Sequence, residues 1–301
     1  MCYNSFCENN IARKKQYIMN ENNDKILIVG LGLIGGSYAI GLTKAGKKVY
    51  AYNRNIAAID YAKSHNIIVD GTDKFDKDFV NQFDRIIFSL YPKIFKEYID
   101  KYGDYIKDGA IITDVTGVKE SIVKYIQDKL GDRVEFIAAH PMAGKEVYGV
   151  ENADDKIFEN ANYIITPTEK NSDKGIAFAE EIGKILKFRK ISFLTPKEHD
   201  EMIAFLSQLT HCIAVSLMNC KNSEDLVNFT GDSFRDLTRI ANINENMWTE
   251  LFMMNKDALI NELDSFINCI SKLRSYIYNE DTENIKRMMI QSTERRKYFN
   301  K

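Results

Sequence analysis

At 301 residues the chain exceeds what one hydrophobic core usually organises, so two domains sharing a cleft are expected. An apolar fraction of 45% beside 28% charged residues excludes a disordered, collagen-like or disulfide-scaffold chain. Lysine and arginine (41) nearly balance aspartate and glutamate (43), and a net charge of −2 without a basic face argues against nucleic acid as a partner.

Residues 1–24 carry Asn-rich patches and charges but no apolar run followed by a small-residue cleavage site, so they are expected to be a flexible leader and not an export signal. The longest uncharged stretch, residues 26–42, falls short of spanning length and contains five glycines, which predicts a strand and a turn and no membrane span. Five cysteines (Cys2, Cys7, Cys212, Cys220 and Cys269) show neither CxxC spacing nor a nearby cluster of histidines. A reducing, cytoplasmic setting and no metal site are expected.

From Lys25 the pattern alternates. Short apolar runs at 26–29, 48–52, 85–88, 110–113, 135–138 and 163–166 read as buried strands, with helical stretches such as 56–64 and 119–130 between the earlier ones. A further helix (173–187) and strand (190–194) follow, and at Thr195-Pro196 the strand signal ends. The expectation is an α/β chain in which a Rossmann-type doubly wound sheet, residues 25–195, precedes an all-helical unit, residues 196–301.

The first helix of that second unit sorts onto two faces. Met202, Leu206, Leu209, Ile213 and Leu217 form a predicted core stripe, while Ile203, Ala204, Ser207, His211, Ala214 and Met218 form a face with room beside a serine and a histidine one turn apart. Such a face suits the wall of a ligand cleft, and a helix packed between two layers with a satisfied histidine accounts for it equally. A later helix, 247–277, carries Trp248, Leu251, Phe252 and Leu259 on a seam long enough for a bundle core or a subunit interface.

Three strand ends carry candidate chemistry. Gly30-Leu31-Gly32-Leu33-Ile34-Gly35 follows the first strand and opens a helix. Its glycines permit a tight turn, backbone approach to a pyrophosphate and close helix packing, while the helix N-terminus faces the anion. Ser89 and Leu90, after the run 85–88, are further cofactor candidates. At the end of the second strand Asn53 stands where an acidic residue commonly receives the adenosine ribose, and Arg54 follows it, so NAD and NADP both stay open. Thr116 and Lys119 end the strand 110–113 within reach of cofactor or substrate, or serve a turn and helix cap. His140 ends the strand begun at Glu135, where a near-neutral imidazole can polarise a hydroxyl. In the helical unit Arg235 and Arg239 are spaced i, i+4 and suit a dianion, or pair with nearby carboxylates.

The segments GLGLIGGS, TDVTGVK, HPMAGKEVYGV, FENANYIITP, SQLTH, FRDLTRIA and MW, in this order over residues 25–265, resemble the prephenate dehydrogenase family. The resemblance implies a helical C-terminal domain that makes a homodimer, NAD or NADP as cofactor, and oxidative decarboxylation of prephenate in tyrosine biosynthesis. Arogenate is the alternative substrate, and a dinucleotide-binding sensor without turnover is the rival from another class. It further implies that His140 contacts the ring hydroxyl, that Arg239 binds a carboxylate, and that Ser207, His211, Lys145, Glu146 and Trp248 lie about the substrate. The chain is expected to carry neither a regulatory ACT domain nor a fused chorismate mutase. Gly117 stands where many relatives have a serine, which makes Thr116 the candidate replacement. Gln208 stands where a further histidine is common, and Lys145 where a smaller hydroxyl residue is.

Overall fold

The computed structural model describes residues 25–145, 147–222 and 224–299. The leader 1–24 lies outside them. Strand β1 (Lys25–Val29) leads through the glycine turn into α1 (Leu33–Lys44), β2 (Lys48–Tyr52), α2 (Ile56–Ser64) and β3 (Asp70–Thr72). The chain continues through α3 (Lys77–Val80), β4 (Arg85–Phe88), α4 (Pro92–Tyr102), β5 (Ile111–Asp114), α5 (Glu120–Leu130) and β6 (Glu135–Phe136). These six strands form one parallel sheet in the order β3-β2-β1-β4-β5-β6. The order reverses between β1 and β4, and the crevice at the carboxyl ends of those two strands is where such sheets bind ligands. Side chains alternate across β1: Ile26 and Ile28 join one core layer, Leu27 and Val29 the other. Burial on both faces is why the strands are apolar runs without polar alternation.

The run read as one strand from Glu135 is two. After β6 the chain passes Ile137 and enters β7 (Ala138–Pro141), which pairs antiparallel with β8 (Asn162–Thr166); β9 (Lys190–Phe193) lies parallel to β8, with α6 (Asp173–Ile185) between them in sequence. The break is held by a buried ion pair. Asp114 at the end of β5 and Lys119 before α5 are both fully buried, their closest contact being 2.7 Å. Together they grip Ala139 by both backbone groups, Lys119 Nζ donating to its carbonyl (2.7 Å) and Asp114 Oδ1 accepting from its amide (3.2 Å). Burial pulls the Lys119 ammonium below the ordinary lysine value, and the Asp114 charge opposes that shift. The expected reach of Lys119 toward a ligand is therefore not met: its amine is inside the protein.

Thr195 caps the next helix with a capping box, α7 (Pro196–Ile203). A π-turn (Ala204–Gln208) joins it to α8 (Leu209–Asn219). There follow α9 (Asp232–Thr238), a 3-10 turn (Arg239–Ala241), α10 (Glu245–Met254), α11 (Lys256–Tyr278) and α12 (Thr282–Arg296). The helical unit departs from the expected pattern at two places. Met202 and Leu206, expected in the core, are 45% and 46% exposed, and Ile203, Ala204 and Gln208 are buried in their place. The π-turn inserts an extra residue per turn, so a 3.6-residue phase drawn across it points the wrong way. The helix expected over 247–277 breaks at Asn255, whose buried amide group donates to the Asp200 carbonyl (2.9 Å) and to Gln208 Oε1 (2.8 Å). The run Pro196–Asn219 is long and apolar enough to cross a membrane by length and composition alone, yet only 28% of that window is buried in the chain. Its first part, α7, packs against α5 and β8 of the sheet domain, and α8 packs against the turn at Arg239 and against α9.

Lys119→Met removes the donor shared by Asp114 and Ala139 and leaves a buried carboxylate charge. It is expected to lower unfolding free energy by about 3–5 kcal/mol in urea titrations, and a loss below about 1 kcal/mol would contradict the clamp.

Candidate active site

Gly30 adopts φ +101°, open to glycine, and a Cβ there would lie 2.5 Å from the Ser89 carbonyl oxygen and 2.9 Å from Leu90 Cδ2. Ser89 and Leu90 thus back the turn from the end of β4. A Cβ on Gly35 would lie 1.9 Å from the Gly30 carbonyl oxygen, whereas one on Gly32 would meet nothing within 4 Å. Two glycines close the turn and the third leaves an open approach. Gly32 caps α1 without any side-chain hydrogen bond, and the first turn carries no acidic residue. The amides of Leu33, Ile34 and Gly35 are first-turn groups that a helix leaves without internal acceptors, which suits a pyrophosphate.

Asn53 holds the place beside this turn. Its Oδ1 accepts from the Leu31 amide (3.1 Å) and its Nδ2 donates to the Asn55 carbonyl (3.1 Å). The end of β2 therefore presents an amide already oriented by its own loop, with Arg54 exposed beside it. A dinucleotide fits this cradle.

His140 stands on β7 and is half-buried. Its Nε2 faces Gly117, where a Cβ would lie 3.8 Å from that nitrogen and 3.5 Å from Leu251 Cδ2 of the helical domain. Its Nδ1 lies 2.9 Å from His199 Nε2, and His199 Nδ1 lies 2.7 Å from Asp200 Oδ1. Burial, then the neighbouring His199 and Lys119, pulls His140 well below the ordinary histidine value. Burial likewise pushes His199 down to about 3 and Asp200 up to about 6, the latter against the pull of the Glu120 and Lys119 amides. His199 and Asp200 were missed in the sequence, where they are two polar residues in the first turn of an amphipathic helix.

Thr116 does not replace the absent serine. Its hydroxyl is buried, donates to Asp114 and accepts from Lys119 Nζ at 3.3 Å, so it belongs to the clamp. The helical wall does assemble in part. His211 donates from Nδ1 to the Ser207 carbonyl (2.8 Å), and its ring stacks on Trp248 with centroids 3.7 Å apart. The turn that begins at Arg239 packs against α8, which carries His211. Arg235, expected to share an anion with Arg239, is exposed and spends its guanidinium on Asp232 (2.6 Å) and the Thr230 carbonyl (3.1 Å). Gln208 is buried and structural, donating to the Leu251 carbonyl at 3.1 Å and accepting from Asn255. Lys145 is exposed on the loop after β7, and Glu146 lies outside the described residues. Glu250 of α10 accepts from the Lys93 amide in the first turn of α4, which ties the two domains beside the cleft. No group of three or more metal-ligating side chains occurs among the described residues.

Residues 38–192 match the family described as prephenate dehydrogenase, nucleotide-binding domain, and residues 195–291 match prephenate dehydrogenase, dimerization domain. The prephenate dehydrogenase of Bacillus subtilis (strain 168) is 33% identical over 276 residues, 89% of this chain and 74% of that protein. The cyclohexadienyl dehydrogenase of Zymomonas mobilis is 30% identical over 269 residues, 85% of this chain and 89% of that protein. A crystal structure of Aquifex aeolicus prephenate dehydrogenase in complex with hydroxyphenyl propionate and NAD+ superposes with a TM-score of 0.84 at 29% identity, covering 95% of this chain and 100% of that one. The six-stranded parallel sheet, the dinucleotide cradle and these matches across both domains agree, and the chain belongs to the prephenate dehydrogenase family.

Proposed function

We propose that this protein oxidises and decarboxylates prephenate to 4-hydroxyphenylpyruvate, passing a hydride to NAD+ or NADP+, as a step of tyrosine biosynthesis. The observation that carries the reading is His140: a neutral imidazole at the carboxyl edge whose Nε2 faces the gap left by Gly117, in the chain that also carries the dinucleotide cradle. The nicotinamide, when bound, accepts the hydride from the ring carbon that bears the hydroxyl.

As that carbon loses its hydride, positive charge builds on the hydroxyl, and His140 Nε2 stabilises it by accepting the hydroxyl hydrogen bond. The electron pair of the bond to the departing carboxylate completes the aromatic ring, carbon dioxide leaves, and the product phenol keeps its proton. Aromatisation supplies much of the driving force, so the protein's task is orientation and one polarised oxygen. Arg239 is assigned to a substrate carboxylate, and Ser207, His211 and Trp248 to the wall that holds the ring. The exposed apolar side chains Met202, Phe205 and Leu206, with Ile260 and Ile267 of α11, suit a homodimer through the helical domain.

Purified protein assayed with prephenate or arogenate against NAD+ or NADP+, following reduced nicotinamide, is expected to turn over prephenate. Turnover of arogenate alone would replace the substrate assignment, and binding of dinucleotide without turnover in any pairing would support a sensor. His140→Asn is expected to lower kcat by about 100-fold or more with dinucleotide affinity unchanged, and wild-type rates would refute its role. Asn53→Asp places a carboxylate where a 2′-phosphate would lie. It is expected to shift the NAD+ over NADP+ preference toward NAD+ by about tenfold or more, and no shift would mean that Asn53 does not face the adenosine ribose.

A further inference from the structure

His140 is held from behind. Gly117 offers no side chain in front of it, and among the described residues its one side-chain hydrogen bond runs to His199. His199 and Asp200 have exposures of 0% and 3%. Asp200 Oδ1 accepts from the Lys119 amide (2.7 Å) and Oδ2 from the Glu120 amide (2.8 Å). The start of α5 thereby fixes the carboxylate from the sheet domain, while His199 and Asp200 themselves come from the helical one.

The hydrogens of this chain are settled by elimination. A carboxylate that takes two amide donors is an acceptor, so the hydrogen between it and His199 sits on His199 Nδ1. A neutral imidazole protonated at Nδ1 has its lone pair at Nε2, so the hydrogen between the two rings sits on His140 Nδ1. His140 is then left with its lone pair at Nε2, on the side of Gly117. The opposite tautomer of either ring would set two lone pairs or two N–H groups against each other across a buried contact.

We propose that His199 and Asp200 are positioning residues that hold His140 in its Nδ1–H tautomer and orient its Nε2 lone pair toward the substrate hydroxyl. The proposal rests on the reading of His140 as the acceptor. The intervening imidazole has its own consequence. A carboxylate touching His140 directly would make it a stronger base, whereas a neutral ring in between leaves it an acceptor that need not take a full proton. That matches a reaction whose product keeps its phenolic proton. It also accounts for how the chain dispenses with the serine common at position 117: orientation supplied at Nδ1 leaves Nε2 to the substrate.

The test combines kinetics with nitrogen NMR of the protein labelled at its four histidines. In the wild type, His140 is expected to show an unprotonated Nε2 and a protonated Nδ1; hydrogen on Nε2 overturns the proposal whatever the variants do. His199→Phe removes the acceptor and is expected to lower kcat by about 100-fold while KM for prephenate and dinucleotide affinity stay within about threefold. His199→Gln, whose amide oxygen can accept from His140 Nδ1, is expected to recover kcat to within about tenfold of wild type. A fully active His199→Phe, or equal losses in both variants, would overturn the positioning role. If His199→Phe does not fold, the wild-type tautomer and His199→Gln decide. An inactive His140→Asn beside an active His199→Phe refutes this proposal alone, whereas an active His140→Asn refutes the reading beneath it.

Discussion

The fully buried pair of Asp114 and Lys119 is the constraint on which the site depends. A charge pair removed from water is tolerated only when its remaining hydrogen-bonding capacity is met, and here that capacity is met by Thr116 and by Ala139, the residue before His140. The same lysine gives its backbone amide to Asp200, which holds His199, which holds His140. The contacts close into a ring that runs from β5 to β7, across to α7 and back to the start of α5. One domain therefore sets the backbone of His140 and the other sets its imidazole. A change in how the domains pack would be felt at the reacting nitrogen.

The wider fold supplies the other half of the site by a separate route. Strand order alone places the glycine turn and Ser89 at the crevice between β1 and β4, and steric closure at Gly30 and Gly35 shapes the turn before any ligand arrives. Hydride transfer requires the nicotinamide and the substrate ring to meet face to face, so the crevice and the His140 cluster must be held at a fixed offset. The parallel register of β1, β4 and β5 provides that offset, because all three strands end on one edge.

Much of this was legible in the sequence where the physics is local. A glycine turn between a strand and a helix has fixed spacing, and His140 is exposed as a candidate by lying at the end of a strand-like run. The limits came from long-range pairing. Nothing in spacing links His140 to His199, 59 residues on, or Asp114 to the amide of Ala139. The π-turn at Ala204–Gln208 shifts the helical phase, so a 3.6-residue period continued through it hides the exposure of Met202 and Leu206. Thr116 and Arg235 have the right chemistry for ligands, but their groups are engaged by Asp114 and Asp232. Sequence gives the donors a residue owns, and only the fold shows where they are spent.

His140 works as a neutral acceptor, backed by His199, Asp200, Lys119 and Asp114. Burial lowers its ionisation below the ordinary histidine value, so the neutral form persists as pH falls through that range and protonation abolishes activity only beneath it. The most direct measurement is the pH dependence of kcat/KM for prephenate. A level profile is expected as the pH is lowered to about 6.5, with the acid limb below that. An acid limb centred at or above the ordinary histidine value would show an imidazole that titrates in water, and would contradict it.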